Sequence, residues 1–145
     1  MRTKDFLNQL DHHRIVSTIR AAEAKTSGQI RVYIQRGELD GEALNAAQAK
    51  FGPLGMEKTT ERNGILIFVA PRARKFAVIG DQGIHAKCGA EFWEELVSAM
   101  REHFLKSSFT DGLIEAIDEA GSALSRYFPR EGSPSNELPD EIVEG

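Results

Sequence analysis

The stretch that decides the fold is Gly64-Ile65-Leu66-Ile67-Phe68-Val69-Ala70, in which an uninterrupted run of apolar residues follows one glycine. Because it is apolar at both odd and even positions, it predicts a central strand that is buried on both faces of a sheet. The next residues, 71–74 (Pro-Arg-Ala-Arg), are too few for a crossover. Residues 75–80 (Lys-Phe-Ala-Val-Ile-Gly) are therefore predicted to return as an antiparallel strand of a hairpin.

A second strand and a helix precede this hairpin. Residues 29–35 alternate, with Ile30, Val32 and Ile34 on one side, which is typical of a strand. Residues 42–51 have helical periodicity and end at a Gly-Pro pair. A strand, a helix and a strand in this order favour a right-handed crossover, so the two strands are predicted to run parallel.

Amphipathic helices flank the strands. Asp11 is the predicted N-cap of a helix that ends near Thr26, and two longer helices follow the hairpin. Strands and helices in this arrangement predict an α/β fold, a three-layer α/β/α sandwich around a small mixed sheet of three to four strands. The apolar faces of the three helices consist of Ile15, Ile19 and Ala22; of Phe92, Trp93, Leu96, Val97, Met100 and Phe104; and of Phe109, Leu113, Ile117, Ala120, Leu124 and Phe128.

Charge is distributed unevenly along the chain. The 145 residues include 18 basic and 22 acidic ones, and residues 130–145 hold one basic and five acidic residues, which is the whole net charge of −4. Residues 1–129 are thus balanced, and a nucleic-acid partner is disfavoured because a body-wide basic field is absent. We predict a domain over 1–129 and a disordered acidic tail over 130–145, since the tail is poor in apolar residues.

Hydropathy predicts a protein that does not span a membrane. The N-terminal residues are polar, and the longest apolar run, residues 65–70, is much shorter than the roughly 20 residues of a membrane helix. The single cysteine, Cys88, cannot form an intramolecular disulfide. These features favour a soluble, cytoplasmic protein.

Three polar loops are predicted to meet at one end of the sheet, where the parallel strands begin and the antiparallel strand ends. They are residues 27–29 (Ser-Gly-Gln), 61–63 (Glu-Arg-Asn) and 81–85 (Asp-Gln-Gly-Ile-His). In this cluster Asp81 offers a hard oxygen ligand or a general base, and Arg62 offers a bidentate contact to an oxyanion. The alternative is ordinary turn chemistry, in which Asp81 caps the next segment and Arg62 pairs with a neighbouring glutamate, Glu57 or Glu61.

Other patterns are weaker. His85 and Cys88 have a spacing that zinc sites use, but a site needs three or four ligands and the chain has neither a CxxC nor an HExxH motif to complete them. A ligand site outside the carboxyl ends of the parallel strands is a further hypothesis, whose alternative is a solvated rim. Its candidate residues are Arg36, Glu38, Asp40, Arg72 and Asp111.

The three loops together resemble the TPM-domain family. The resemblance is carried by residues 26–32 (Thr-Ser-Gly-Gln-Ile-Arg-Val), 55–59 and 62–67 (Gly-Met-Glu-Lys-Thr, then Arg-Asn-Gly-Ile-Leu-Ile), 79–85 (Ile-Gly-Asp-Gln-Gly-Ile-His) and 92–93 (Phe-Trp). It extends from about residue 6 to residue 129. The chain looks most like the short cytoplasmic branch, which lacks a signal peptide and a membrane anchor.

The resemblance implies an α/β/α sandwich and several expectations about function. Its members include a thylakoid-lumen protein linked to photosystem II repair, with acid phosphatase activity and divalent-cation binding, and a nematode modulator of acetylcholine receptors. Asp81 matches the family's Gly-Asp-x-Gly-Ile element, and Arg62 and Asn63 match its Arg-Asn-Gly element. The family commonly has Glu where this chain has Gln29, and the exchange removes an anionic oxygen that a calcium ion would favour.

Two functional hypotheses follow from the resemblance. The first is a non-catalytic interaction or regulatory module that can bind a divalent cation and associates with a protein partner, including a membrane-associated complex. The second is a weak acid phosphatase-like hydrolase that depends on calcium or another divalent cation. In the second, Asp81, Arg62 and Asn63 are the catalytic residues, and in both the candidate metal ligands are Asp81 and Gln29.

Overall fold

The computed structural model describes residues 1–130 and 142–145, in which six helices, one 3₁₀ turn and four strands alternate along the chain. In order they are α1 (Thr3–Asn8), α2 (His12–Glu23), β1 (Gln29–Ile34), α3 (Ala43–Phe51), the 3₁₀ turn (Met56–Lys58), β2 (Gly64–Ala70), β3 (Lys75–Gly80), α4 (Gln82–Cys88), α5 (Ala90–Leu105), α6 (Phe109–Tyr127) and β4 (Ile142–Glu144).

The sheet has the strand order β3-β2-β1-β4. Strand β1 runs parallel to β2, and β3 runs antiparallel to β2, so both strand directions predicted from the sequence are confirmed. Every residue of β2 is buried, as its uninterrupted apolar sequence predicts for a central strand. The register places Gln29 opposite Gly64 and Ile65 opposite Gly80.

Helices cover both faces of the sheet. On one face α2, α5 and α6 pack around Ile30, Ile65 and Ile67, and on the other α3 and the 3₁₀ turn pack around Leu66 and Phe68. The predicted three-layer α/β/α sandwich is therefore confirmed. The alternation of side chains along each strand divides one apolar sequence into two cores.

Local capping follows the predicted signals. Asp11 is the N-cap of α2, and its side chain accepts a hydrogen bond from the amide of Arg14 at 3.1 Å. Helix α3 begins one residue after the predicted start and ends at Phe51, with Gly52 as its C-cap. The residues that precede Asp11 form a separate short helix, α1, of which Phe6 and Leu7 are buried.

The last strand differs from the sequence-based expectation of a disordered tail. Ile142–Glu144 pairs in parallel with β1, and Ile142 lies opposite Val32. The physical reason is that β1 would otherwise present an unpaired edge, and residues 142 and 143 form an apolar, β-branched pair that suits such an edge. The rest of the predicted tail, residues 131–141, lies outside the described residues.

Candidate functional site

An ion pair between Arg62 and Asp81 joins two of the three predicted loops. Nε of Arg62 donates to Oδ2 of Asp81 at 2.6 Å, and its Nη2 donates to Oδ1 at 2.9 Å. The carboxylate is buried, with 6% of its surface exposed, whereas the Arg62 side chain keeps 36% exposure. The hydrogen bond to Asp81, reinforced by the charges of Asp81 and Glu57, raises the pKa of Arg62 above its ordinary value. The guanidinium therefore stays charged at every pH at which the protein folds.

Asp81 also begins the next helix. Its Oδ1 accepts a hydrogen bond from the amide of Gln82 at 2.7 Å, so the residue is the N-cap of α4. The amide of Gly83 donates to the carbonyl of Arg62 at 2.8 Å. The alternative in which Asp81 caps the following segment is thus what the structure contains. Arg62 pairs with Asp81 as its main partner and approaches Glu57 at 3.7 Å.

The third loop joins the cluster through Ser27. Nδ2 of Asn63 donates to Oγ of Ser27 at 3.1 Å, and Oγ of Ser27 donates to Oε1 of Glu61 at 3.0 Å. The backbone amide of Gln29 meets the carbonyl of Asn63 at 3.4 Å. The predicted convergence of the three segments is confirmed, but residues 82–85 are the start of α4 and not a loop, because Asp81 caps a helix there. The chemical roles assigned to these residues stay predictions.

Two buried side chains in this cluster have polar atoms that lack a hydrogen-bond partner among the described residues. Gln29 is fully buried, and neither Oε1 nor Nε2 has a partner; Asn63 leaves its Oδ1 unpartnered. An unpaired buried amide costs free energy, so the side chain of Gln29 is a local defect in the packing of this cluster. No sequence pattern identifies this defect, because the sequence around Gln29 would look the same if its amide had hydrogen-bond partners.

Gln29 and Asp81 are held apart by the residue between them. The amide of Asp81 donates to the carbonyl of Gly64 at 2.9 Å, and Gly64 is the register partner of Gln29. Gln29 and Asp81 therefore lie in one row across the sheet with Gly64 between them. Their backbones are about 10 Å apart, because neighbouring strands are spaced by about 4.8 Å. The space above Gly64 is filled by Met56, whose carbonyl oxygen lies 2.9 Å from where a Cβ on that glycine would stand. An ion bound by both Gln29 and Asp81, the predicted metal ligands, would thus have to lie near the position over Gly64 that Met56 occupies.

Metal-ligating side chains do not gather elsewhere in the part of the chain that the structure describes, where no group of three or more His, Cys, Asp or Glu is placed to hold an ion. His85 and Cys88, whose spacing resembles that of zinc ligands, have other roles in the structure. Nδ1 of His85 accepts a hydrogen bond from Nε1 of Trp93 at 2.9 Å. Cys88 is a free thiol, and its partial burial raises its pKa.

The candidates at the opposite end of the sheet form ion pairs on the surface. Arg72 approaches Glu38 at 3.7 Å, and more than half of each of these two side chains is exposed. Arg36 pairs with Glu144 of β4 at 3.0 Å, a contact that only the tertiary structure creates. Asp111 lies in the first turn of α6 and pairs with an arginine of α2, Arg14, at 3.2 Å. These contacts correspond to the solvated-rim alternative, and exposed pairs of this kind contribute little to stability.

Among the buried charged residues that were not predicted from the sequence is Glu23, at the end of α2. Its Oε2 accepts a hydrogen bond from the amide of Ile30 at 2.8 Å and so ties the helix to the first strand. Only 5% of Glu23 is exposed. Its spacing from Ile15 and Ile19 places it on the apolar face of α2, and this is the sequence signal that could have identified it.

Comparison with known proteins agrees with this architecture. The family model of the TPM domain matches residues 1–123, most of the chain. The chain is also similar to the BA42 protein of the psychrophilic bacterium Bizionia argentinensis sp. nov., whose NMR structure superimposes with a TM-score of 0.84. The two chains are 36% identical, and the match covers 92% of each. No curated protein matches significantly.

The chain therefore belongs to the TPM domain family, as the loop motifs predicted. The arrangement of a mixed sheet between two helical layers is common to both proteins at this level of similarity. None of the helices in residues 1–130 has the length and apolar character needed to cross a membrane.

Proposed function

We propose that this protein is a non-catalytic interaction or regulatory module of the TPM type. The observation that carries the proposal is the bidentate ion pair, in which Arg62 occupies both carboxylate oxygens of Asp81. A base or a metal ligand needs a free lone pair directed at its substrate or ion. Here the carboxylate is directed at a guanidinium and at the amide of Gln82.

The same pair neutralises the cation that a phosphatase would use. Phosphoryl transfer is accelerated by positive groups that contact the phosphate oxygens in the transition state. In this cluster the Nε and Nη2 groups of Arg62 are committed to Asp81, and Glu57 adds a second negative charge nearby. The pair instead fixes the position of the loop at residues 61–63 relative to the start of α4, which is what a recognition surface requires.

The partner that we propose is a protein, including one in a membrane-associated complex, and the compartment is the cytoplasm. The diversity of roles among the proteins that share this domain supports a binding function, because one fold can present different loops to different partners. Photo-crosslinking in cells tests this directly, with the crosslinker at position 61 and, as a control, at exposed position 102 on α5. The proposal expects a discrete protein adduct from position 61 alone, and equal adducts from both positions would contradict it.

The alternative is the cation-dependent phosphatase. The buried oxygens of Gln29 and Asn63, which lack partners among the described residues, favour it, since amide oxygens are hard ligands. Calcium titration of the native chain and of Gln29→Glu, followed by the thermal midpoint, tests whether position 29 contributes to an ion site. Our proposal expects no calcium-dependent rise in either protein. A rise confined to Gln29→Glu would show that position 29 can ligate the ion.

Hydrolysis of p-nitrophenyl phosphate separates the two functions. The native chain, Asp81→Asn and the control Asp118→Asn, which alters an exposed carboxylate of α6, are assayed with calcium, magnesium or manganese. The interaction module predicts no turnover above the blank with any ion. Cation-dependent turnover that Asp81→Asn abolishes and Asp118→Asn retains would overturn the proposal in favour of the phosphatase.

A further inference from the structure

A cavity of about 430 Å³ lies beyond the carboxyl end of β2, at the end of the sheet opposite the Arg62–Asp81 pair. Its floor is formed by Val69 and Ala70, and its walls come from α1, β3, α5 and the start of α6. The volume is within the roughly 300–1,000 Å³ that ligand pockets span. Open α/β sheets bind ligands outside the carboxyl ends of their parallel strands, which is where this cavity lies.

Four phenylalanines build the apolar wall. The rings of Phe6 and Phe109 are 4.9 Å apart, those of Phe104 and Phe109 are 5.4 Å apart, and those of Phe76 and Phe104 are 5.0 Å apart. Tilted and edge-to-face contacts of this kind link four different elements into one unit. The wall is therefore preformed, and a ligand would not have to order it.

The rim of the cavity carries three basic side chains, Arg74, Lys75 and Arg101. Arg101 lies over the ring of Phe76 at 5.7 Å, and Nζ of Lys75 donates to the carbonyl of Gly41 at 3.2 Å. In residues 1–130 and 142–145, none of the three forms an ion pair with a carboxylate. Three positive charges thus border an apolar cavity that no carboxylate of the described residues lines.

The basic residues at this rim differ from three other arginines, which lie close to carboxylates. Arg62 is bound by Asp81, Arg36 by Glu144, and Arg72 approaches Glu38. Arg74 is only two residues from Arg72, but it lines the cavity and forms no ion pair with a carboxylate of the described residues. At the same rim Leu105 is 80% exposed, which leaves an apolar side chain in water that a ligand would cover.

We propose that this cavity binds a small monocarboxylate with an apolar body, such as a medium-chain fatty acid. The apolar part packs against the four phenylalanine rings, and the carboxylate meets the basic rim. Guanidinium groups suit this role because they donate two parallel hydrogen bonds to a carboxylate. The site goes beyond the proposed interaction function and does not depend on it.

Titration calorimetry with decanoate, below its micelle concentration, tests the proposal. Decanol and decyltrimethylammonium serve as neutral and cationic ligands with the same chain. Because only the carboxylate can accept charge-assisted hydrogen bonds from the basic rim, decanoate is expected to bind at least about tenfold more tightly than either. Equal affinity for the three head groups, or no decanoate binding at millimolar concentration, would overturn the proposal.

Variants at the rim locate the site. Arg74→Asn with Arg101→Gln is expected to weaken decanoate binding at least about tenfold, whereas Lys87→Gln, an exposed residue of α4, leaves it unchanged. Asn is chosen at position 74 because the residue has φ +54°, which Asn tolerates. Two-dimensional amide spectra confirm that each variant is folded. Decanoate-induced shifts that cluster away from Phe76 and Leu105 would contradict the location.

Discussion

Arg62 and Asp81 are separated by 19 residues in the chain and bound to each other by two hydrogen bonds, and each also holds its own loop in place. Asp81 caps α4, while the carbonyl of Arg62 accepts a hydrogen bond from Gly83 in the first turn of the same helix. The pair is thus part of a closed set of contacts that fixes the start of α4 against the loop before β2. Its first consequence is structural, and the first two predictions test it.

Asp81→Asn is expected to lower the thermal midpoint by several degrees. Asn retains an acceptor for the amide of Gln82 but cannot form the charged bidentate contact with Arg62. A double-mutant cycle with Arg62→Gln measures the coupling by urea unfolding, and Asp118→Asn is the exposed control. If the losses from the two single variants simply add in the double variant, the residues do not stabilise the fold as a pair.

Gly83→Ala is expected to destabilise the protein by about 1–3 kcal/mol or more, because the new methyl group would overlap the carbonyl oxygens of Glu61 and Arg62. Both obstacles are backbone atoms and cannot move aside cheaply. Gly52→Ala is the matched control, since its methyl group would meet only the flexible end of Glu57 at 3.1 Å. Urea unfolding of the two variants checks the difference, and equal stability would show that the α4 start is more adaptable than this packing indicates.

Gln29→Met is expected to raise the free energy of unfolding by about 1 kcal/mol. The exchange keeps the length of the side chain and removes two buried polar atoms that have no partner among the described residues. Gln48→Met, at an exposed position of α3, is expected to change stability by less than about 0.5 kcal/mol. A loss of stability in Gln29→Met alone would mean that the amide is satisfied in solution by a bound water or ion.

Glu119→Gln is expected to stabilise the protein at neutral pH by about 0.3 kcal/mol, the size of a like-charge contact one turn apart on a helix. Burial raises the pKa of Glu119, and the charges of Glu115 and Glu95 raise it further. A raised pKa in the folded state means that the native glutamate supports folding while it is protonated and loses that support as pH increases through the folded pKa. The advantage of the variant should therefore be present at pH 7 and vanish below the ordinary pKa of glutamate. An advantage independent of pH, measured by thermal unfolding between pH 3.5 and 7, would point to another cause.

The sequence was sufficient for the first three strands and for the longer helices because their signals are local. It did not predict the short helix α4, whose first residues were interpreted as a loop. The apolar run of β2 predicts a strand that is buried on both faces. The connector to β3 has four residues, which is too short for any connection except a hairpin. The directions of β1, β2 and β3 also predicted that three polar segments meet at one end of the sheet. Strand β4 was missed because three residues carry too little pattern to predict a pairing, and their partner is more than one hundred residues away in the chain.

The sequence by itself therefore determined the α/β/α architecture, the family and the identity of the residues in the loop cluster. Only the tertiary structure decided what those residues do to each other. It placed Arg62 on Asp81, left the amide of Gln29 unpaired among the described residues, and put Met56 between the two proposed metal ligands. The physical reason is range: periodicity and turn chemistry act over a few residues, whereas charge compensation and desolvation depend on which distant side chains share a space of a few ångströms.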